Sequence, residues 1–258
     1  MKVQPRLDVT PNVAEEIRRL ARFQGIVMDE VEQVLSAFGD HNLDTYAEVV
    51  ITERGLELIT GGVGSVAAEL ASIARHFGAP EDTARTFLDC AAAFPERMLG
   101  LKVCLGPEAA PPTLYVRTMC STNEGLVWLQ GRVSTAALVE ALADNRTLYG
   151  LGFASREGEC AIKTYSLGPL PDDTIGFHSW RATSSGVVKE RKRYWPDVPW
   201  GELPLTSWRW RRLARFAARE LGYDVAGHFA TTERDNEPDE LKLYVERIGA
   251  IATDRSAQ

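Results

Sequence analysis

Glu240-Leu241-Lys242-Leu243-Tyr244-Val245-Glu246-Arg247 alternates strictly between two kinds of side chain. Alternation at period two specifies a β-strand with unlike faces. Leu241, Leu243 and Val245 share one face, and Lys242, Tyr244 and Glu246 share the other. The pattern recurs upstream. Thr113-Leu114-Tyr115-Val116-Arg117 repeats the Leu-Tyr-Val core with a cation two places after the Tyr, and Ala161-Ile162-Lys163-Thr164-Tyr165 repeats Lys-x-Tyr. Three strands that each put a cation and a Tyr on one face predict a fold built from similar units.

Turn signals extend this reading along the chain. Hairpins are predicted over 45–60 around Glu53-Arg54-Gly55, over 99–119 around 106–111, and over 147–166 around Arg156-Glu157-Gly158. Two more are predicted over 174–193 around Thr183-Ser184-Ser185 and over 225–248. Helices are expected over 12–38 with breaks at Gly25 and Gly39, from an N-cap at Ser65 to about Phe77, and from Pro80 to about Phe94. Two further helices are expected, over 134–143 and from Thr206 or Ser207 to about Leu221, the second stopped by Gly222. Residues 126–129 read as a short strand, and Pro196, Pro199 and Pro204 as marks of a loop. The expectation is therefore an α+β domain over 1–258, with ten antiparallel strands, an N-terminal helical segment over 1–40 and a loose tail over 253–258.

In the second, third and fifth hairpins one face is aliphatic: Leu101, Val103, Leu105, Leu114, Val116, Leu151, Phe153, Ile162, Leu241, Leu243 and Val245. The other carries Lys102, Tyr115, Arg117, Lys163, Tyr165, His228, Lys242 and Tyr244. Either helices cover an open sheet whose polar face is wet, or the sheet closes and the polar face lines a cavity. Pairing about the third turn sets Gly152 opposite Lys163 and Gly150 opposite Tyr165. Mid-strand glycines cost stability and often mark close approach of a ligand, so the closed reading is preferred, with space left at these two positions.

The formal net charge of -7 argues against bulk nucleic-acid binding. Basic and aromatic residues interleave in Trp208-Arg209-Trp210-Arg211-Arg212, a pattern that suits RNA or an acidic membrane. Trp210, Leu213, Ala214 and Ala217 also form a packing stripe, so the favoured reading is a helix covering the barrel. With no long apolar run and no apolar leader, a cytoplasmic protein is expected, and Cys90, Cys104, Cys120 and Cys160 read as reduced thiols. Asp172-Asp173 is an isolated pair.

The segment from Gly152 to Tyr165, and next Leu241-Lys242-Leu243-Tyr244, resemble the strand-turn-strand repeat of the ABBA (prenyltransferase-barrel) aromatic prenyltransferases. The likeness runs through most of the chain from Thr45 onward. Two departures stand out: the chain is short for that family, and residues 168–173 leave no room for a helix between the third and fourth hairpins. The resemblance thus implies a ten-stranded antiparallel β-barrel of five hairpins surrounded by helices, truncated or more open, which would admit a larger acceptor such as a peptide. It implies transfer of an allylic C5 or C10 group from a prenyl diphosphate co-substrate to an electron-rich aromatic acceptor. No obligatory metal or other cofactor, no nucleic acid and no membrane partner is expected.

That chemistry assigns roles. Loss of pyrophosphate needs cations around the leaving charge: Lys102, Arg117, Lys163 and Lys242, with Lys189 and Arg191 from the fourth hairpin. Aromatic faces attract a carbocation without attacking it, which suits Tyr115, Tyr165 and Tyr244. A carboxylate can orient the acceptor and take its proton. Pairing in the first hairpin puts Glu48 and Glu57 on one face, where the resemblance places that acid, with Glu48 the first choice. Gly150, Gly152, His178, Trp180 and His228 complete the expected pocket, the two histidines as strand residues and not as bases. Two rival readings are a non-catalytic barrel binding an apolar or anionic small ligand, and an open-sheet interaction module.

Overall fold

The computed structural model describes residues 13–40, 47–63, 66–95, 97–107, 109–117, 122–133, 147–156, 159–169, 175–183, 186–199, 202–205, 207–221, 225–234 and 237–247. Paired helices α1 (Val13–Gln24) and α2 (Met28–Asp40) precede the hairpin β1 (Ala47–Ile51) and β2 (Leu56–Val63). Helices α3 (Ala67–His76) and α4 (Glu81–Ala93) lead to β3 (Met98–Leu105) and β4 (Thr113–Arg117). Helix α5 (Thr122–Leu129) comes before β5 (Thr147–Arg156) and β6 (Glu159–Pro169), then β7 (Ile175–Thr183) and β8 (Gly186–Pro199). Helix α6 (Trp208–Glu220) precedes β9 (Val225–Arg234) and β10 (Glu237–Arg247).

The strands make one curled antiparallel sheet in the order β1-β10-β9-β8-β7-β6-β5-β4-β3-β2, and β1 pairs with both β10 and β2, so the sheet closes. Alternation decides which face is inside. On β3, Leu99, Leu101, Val103 and Leu105 are buried while the residues between them are half-buried. The aliphatic faces of β3 to β6 meet the helices α2 to α5, and the polar face turns inward. Phe153 on β5 packs edge-on against Phe87 of α4 and Trp128 of α5, at ring-centroid distances of 6.1 and 5.8 Å. At the other side Phe23 of α1 stacks on Phe216 of α6 at 4.2 Å.

Four expectations change. Residues 126–129 belong to helix α5. Gly39 does not break α2, which runs to Asp40. Pro196 and Pro199 lie within β8, paired with His228 and Val225 of β9. Among the described residues β8 pairs with β7 on its other side only as far as Lys192, so there the proline-bearing end is locally an edge. An edge tolerates proline because no ladder donor is needed there. The N-cap of α3 is Val66, with no side-chain cap hydrogen bond, in place of the expected Ser65. The helix expected over 134–143, the stop at Gly222 and the tail lie outside the described residues. No helix among the described residues is long and apolar enough to cross a membrane.

The basic helix α6 packs as its stripe predicts, with Trp210, Leu213, Ala214 and Ala217 buried. Its N-cap is Ser207, whose Oγ accepts the Trp210 backbone N–H at 3.2 Å. Ser207→Ala leaves that donor to solvent and is expected to cost about 1 kcal/mol in urea unfolding.

Candidate active site

The inner wall of the barrel is organised by Glu57. On β2, Leu56 and Leu58 face the helices, so Glu57 between them faces inward and is buried. Its neighbour across the ladder is Cys104 of β3 on one side and Val50 of β1 on the other. Lys102, one inward position along β3, places its Nζ 3.3 Å from Glu57 Oε1. Lys242 of β10 reaches over β1 to the same oxygen at 2.7 Å. Lys242 is 6% exposed, so the pair is largely withdrawn from water. Burying these groups is tolerable because each ammonium has the Glu57 carboxylate within hydrogen-bond reach.

A second group sits along one ladder row. Gly100, Tyr115, Gly152 and Lys163 are successive partners on β3, β4, β5 and β6. Glycines thus flank Tyr115 on both sides. A Cβ at Gly152 would meet Tyr165 Cε2 at 3.2 Å and Tyr115 Cε1 at 3.4 Å. The two rings lie 6.0 Å apart, and the Tyr165 hydroxyl hydrogen-bonds to Tyr115. Lys163 Nζ lies 5.2 Å from the Tyr165 ring centroid, in reach of its negative face.

Charge and burial set the protonation states. Burial pulls the Lys102 ammonium toward deprotonation, but the Glu57 carboxylate together with Tyr115, Cys104 and Tyr165 outweighs it and holds Lys102 well above the ordinary lysine value. Burial, with Glu57 nearby, pushes the Tyr115 hydroxyl up against the opposing pull of Lys102. Burial also raises the Cys104 thiol. The lysine is therefore charged, and the phenol and thiol neutral, over the physiological range.

These groups line one cavity of about 280 Å³, close to the lower end for small-ligand pockets. Of the expected residues, Glu57, Lys102, Lys163, Lys242, Tyr115 and Tyr165 come together there. Glu48 shares the face of Glu57 but stands opposite Ile59, one inward position away, and does not line the cavity. Arg117 lies apart from the other cations, two residues beyond Tyr115, with Nη1 3.5 Å from Met98 Sδ and its guanidinium 5.3 Å over the Tyr149 ring. Gly150 and Gly152 do not line the cavity either. The room at Gly152 is filled by the tyrosine rings, and at Gly150 by the Val116 carbonyl, 3.0 Å from where a Cβ would sit. Their absent side chains seat neighbours within the wall, in place of the ligand expected from the sequence. Gly152→Ala must push the Tyr165 ring back by a few tenths of an ångström and is expected to cost about 1 kcal/mol in urea unfolding, with weaker binding of any ligand seated on that ring.

For Tyr244, His178, Trp180, Lys189, Arg191 and His228 the backbone register alone is described. Tyr244 pairs with Val50 and His228, Lys189 pairs with Trp180, and Arg191 pairs with His178. The sequence reading missed Arg54 and Cys104, which line the cavity. Arg54 sat in a segment read only as a turn. Cys104 was legible, since it alternates with Val103 and Leu105 on the face of Lys102. Among the described residues no cluster of three or more His, Cys, Asp or Glu side chains forms a metal site.

No family model and no curated protein sequence matches the chain. Among solved structures it is similar to a 6-dimethylallyl tryptophan synthase, with 11% identity over 95% of this chain and 98% of that one, at a TM-score of 0.58. It is similar also to the prenyltransferase PriB in its apo form, with 11% identity over 93% and 96% of the two chains, at a TM-score of 0.59. At this identity the likeness establishes a shared fold, that of the prenyltransferase barrel.

Proposed function

We propose that the chain transfers an allylic prenyl group, C5 or C10, from a prenyl diphosphate to an electron-rich aromatic acceptor, either a small molecule or a peptide side chain, with no obligatory metal. The observation that carries this reading is the cluster of Lys102, Lys242 and Lys163 around Glu57 and the Tyr115–Tyr165 pair, all on the wall of one cavity. It supports the reading because the chemistry needs these groups together. The allylic C–O bond breaks and its electrons leave with pyrophosphate. Ammonium groups fixed in a low-dielectric wall favour the charge that develops on the leaving oxygens. The allylic cation left behind is shielded by the faces of Tyr115 and Tyr165, with Tyr244 as a third candidate. An acceptor π pair then forms the new bond, and the proton on the carbon attacked passes to a carboxylate, Glu57 or Glu48.

In this proposal Glu57 accepts a hydrogen bond from the N–H or O–H of the acceptor while it holds Lys102 and Lys242 in place. Glu48, one inward position along, is the second candidate for that acid. Lys189 and Arg191 are proposed to extend the cation set from β8. Arg117 is assigned to the far side of the tyrosine row.

The reading is tested by calorimetric titration of pyrophosphate and of geranyl S-thiolodiphosphate, both with chelator present. Binding of the analogue, weakened in Lys163→Ala and Lys242→Ala, is the expected result. Absence of binding of either ligand to folded protein refutes the diphosphate site and favours a barrel for a neutral apolar ligand.

A further inference from the structure

A second cavity, of about 260 Å³, lies outside the barrel between α1 and α6, lined in part by Arg22, Phe23, Glu53, Trp208, Arg209 and Arg212. We propose that this groove holds an acidic segment of a peptide acceptor beside the mouth of the barrel. The proposal rests on the prenyl-transfer reading only for what the bound peptide then undergoes.

Three observations carry it. The first is position. In the turn between β1 and β2, Thr52, Arg54 and Gly55 line the barrel cavity while Glu53 lines the groove, so one hairpin turn separates the two. Strands in a pair lie about 5 Å apart, so a few extended residues cross that turn. Gln24 Nε2 donates to the Thr52 carbonyl at 3.4 Å, tying α1 to the turn.

The second is charge. The groove carries three guanidinium groups and the carboxylate of Glu53, with Arg22 also paired to Glu15 at 3.4 Å, so Arg209 and Arg212 supply its excess positive charge in a chain whose formal net charge is -7. A basic surface on an acidic protein steers anionic partners and pairs their carboxylates through two donors. Glu53, on the turn, repels acid from the mouth, so the acidic segment lies toward α6.

The third is preorganisation. The Arg212 guanidinium sits 5.0 Å over the Phe23 ring and 5.5 Å over Trp208, which fixes its place at the groove wall. Trp208 is 63% exposed and offers a face to an apolar side chain of the partner. A recessed wall with Glu53 in it suits a peptide better than a flat anionic bilayer.

The experiment uses the full chain and a fluorescein-labelled peptide with a short run of Asp and Glu ahead of one Trp. Its control has Asn and Gln in place of the acids. Fluorescence anisotropy is expected to show about tenfold tighter binding of the acidic peptide, an advantage lost in the Arg22→Glu/Arg209→Glu variant. Pyrophosphate titration and circular dichroism of that variant should match the parent, since neither arginine lines the barrel cavity. Equal binding of the two peptides overturns the proposal, as does an advantage that survives in the variant. Equal peptide binding together with sedimentation on phosphatidylserine vesicles, lost in the variant, overturns it in favour of a bilayer. Because binding is read without turnover, peptide discrimination in a protein that transfers no prenyl group upholds the groove and sinks the transfer reading.

Discussion

Glu57→Ala is expected to destabilise the protein by about 3–5 kcal/mol, the scale for breaking a buried ion pair by removing one partner. The expectation follows from the site's asymmetry. Glu57 is one carboxylate serving two ammonium groups, Lys102 at 3.3 Å and Lys242 at 2.7 Å. Its loss leaves two like charges facing each other in a wall that water barely reaches. Removing one lysine leaves the carboxylate its other partner, so Lys242→Met is expected to cost less than Glu57→Ala. A double-mutant cycle in urea unfolding checks the order: the pair must couple, and equal costs for the two single variants would refute Glu57 as the hub.

The same cluster fixes the alkaline limb of stability. Lys102 is held above the ordinary value of 10.5, so below that value native and unfolded chains both keep the proton and the contribution is complete. As pH rises beyond it, the unfolded chain releases its proton first. The native state then binds more protons, and stability falls toward the raised native value. Tyr115 and Cys104, also raised, contribute with the same sign above their ordinary values of 10.0 and 9.0. Glu57→Ala removes the carboxylate that holds Lys102 up, and leaves burial to lower it. The gap between variant and parent is therefore expected to narrow as pH rises, measured as urea midpoints across the alkaline range. A gap that stays constant there would show that the cost does not come from ammonium groups deprived of the Glu57 carboxylate.

Legibility followed the strength of local signals. The inward set Lys102, Tyr115, Lys163, Tyr165 and Lys242 was readable because period-two alternation fixes the face of every residue once one is known. Residues 126–129 were not, since Leu-Val-Trp-Leu is a short apolar run with no period to separate strand from helix. What settles it is packing: Trp128 and Leu129 are buried and Val127 is exposed, an arrangement set by α5 lying against β5. Prolines misled for a related reason, because whether a strand position is an edge depends on where the neighbouring strand stops. The ranking of Glu48 over Glu57 failed to anticipate which one lines the cavity. Parity puts both on one face, but only the register, with Glu57 opposite Val50 and Cys104, sets Glu57 within reach of two lysines from flanking strands. The glycines mark close approach of groups from the protein itself and not of the expected ligand: the tyrosine rings at Gly152 and the Val116 carbonyl at Gly150.

Lys163→Ala is expected to lower kcat/KM for prenyl transfer by about 10²–10³, the scale for removing one preorganised group that meets charge developing in a transition state. Lys163 is the informative lysine because it is on β6, across the row from the Glu57 cluster, and lies against the Tyr165 ring. Substituting Lys102 or Lys242 breaks the bond to Glu57 and mixes stability with chemistry. Lys163 lies between Gly152 and Arg181 in the ladder, so its truncation leaves the Glu57 bonds in place. Its loss is expected in kcat more than in KM, since leaving-group charge is greatest after the C–O bond has begun to break. Lys163→Arg keeps the charge but spreads it over a planar group against the tyrosine ring, and partial rescue is the expected result. The measurement is transfer from dimethylallyl or geranyl diphosphate to an electron-rich aromatic acceptor, read by mass spectrometry under single-turnover conditions. A Lys163→Ala protein that folds normally and turns over at the parent rate would remove Lys163 from the chemistry. The developing charge would then have to be met by Lys102 and Lys242, and the transition state placed against the Glu57 side of the cavity.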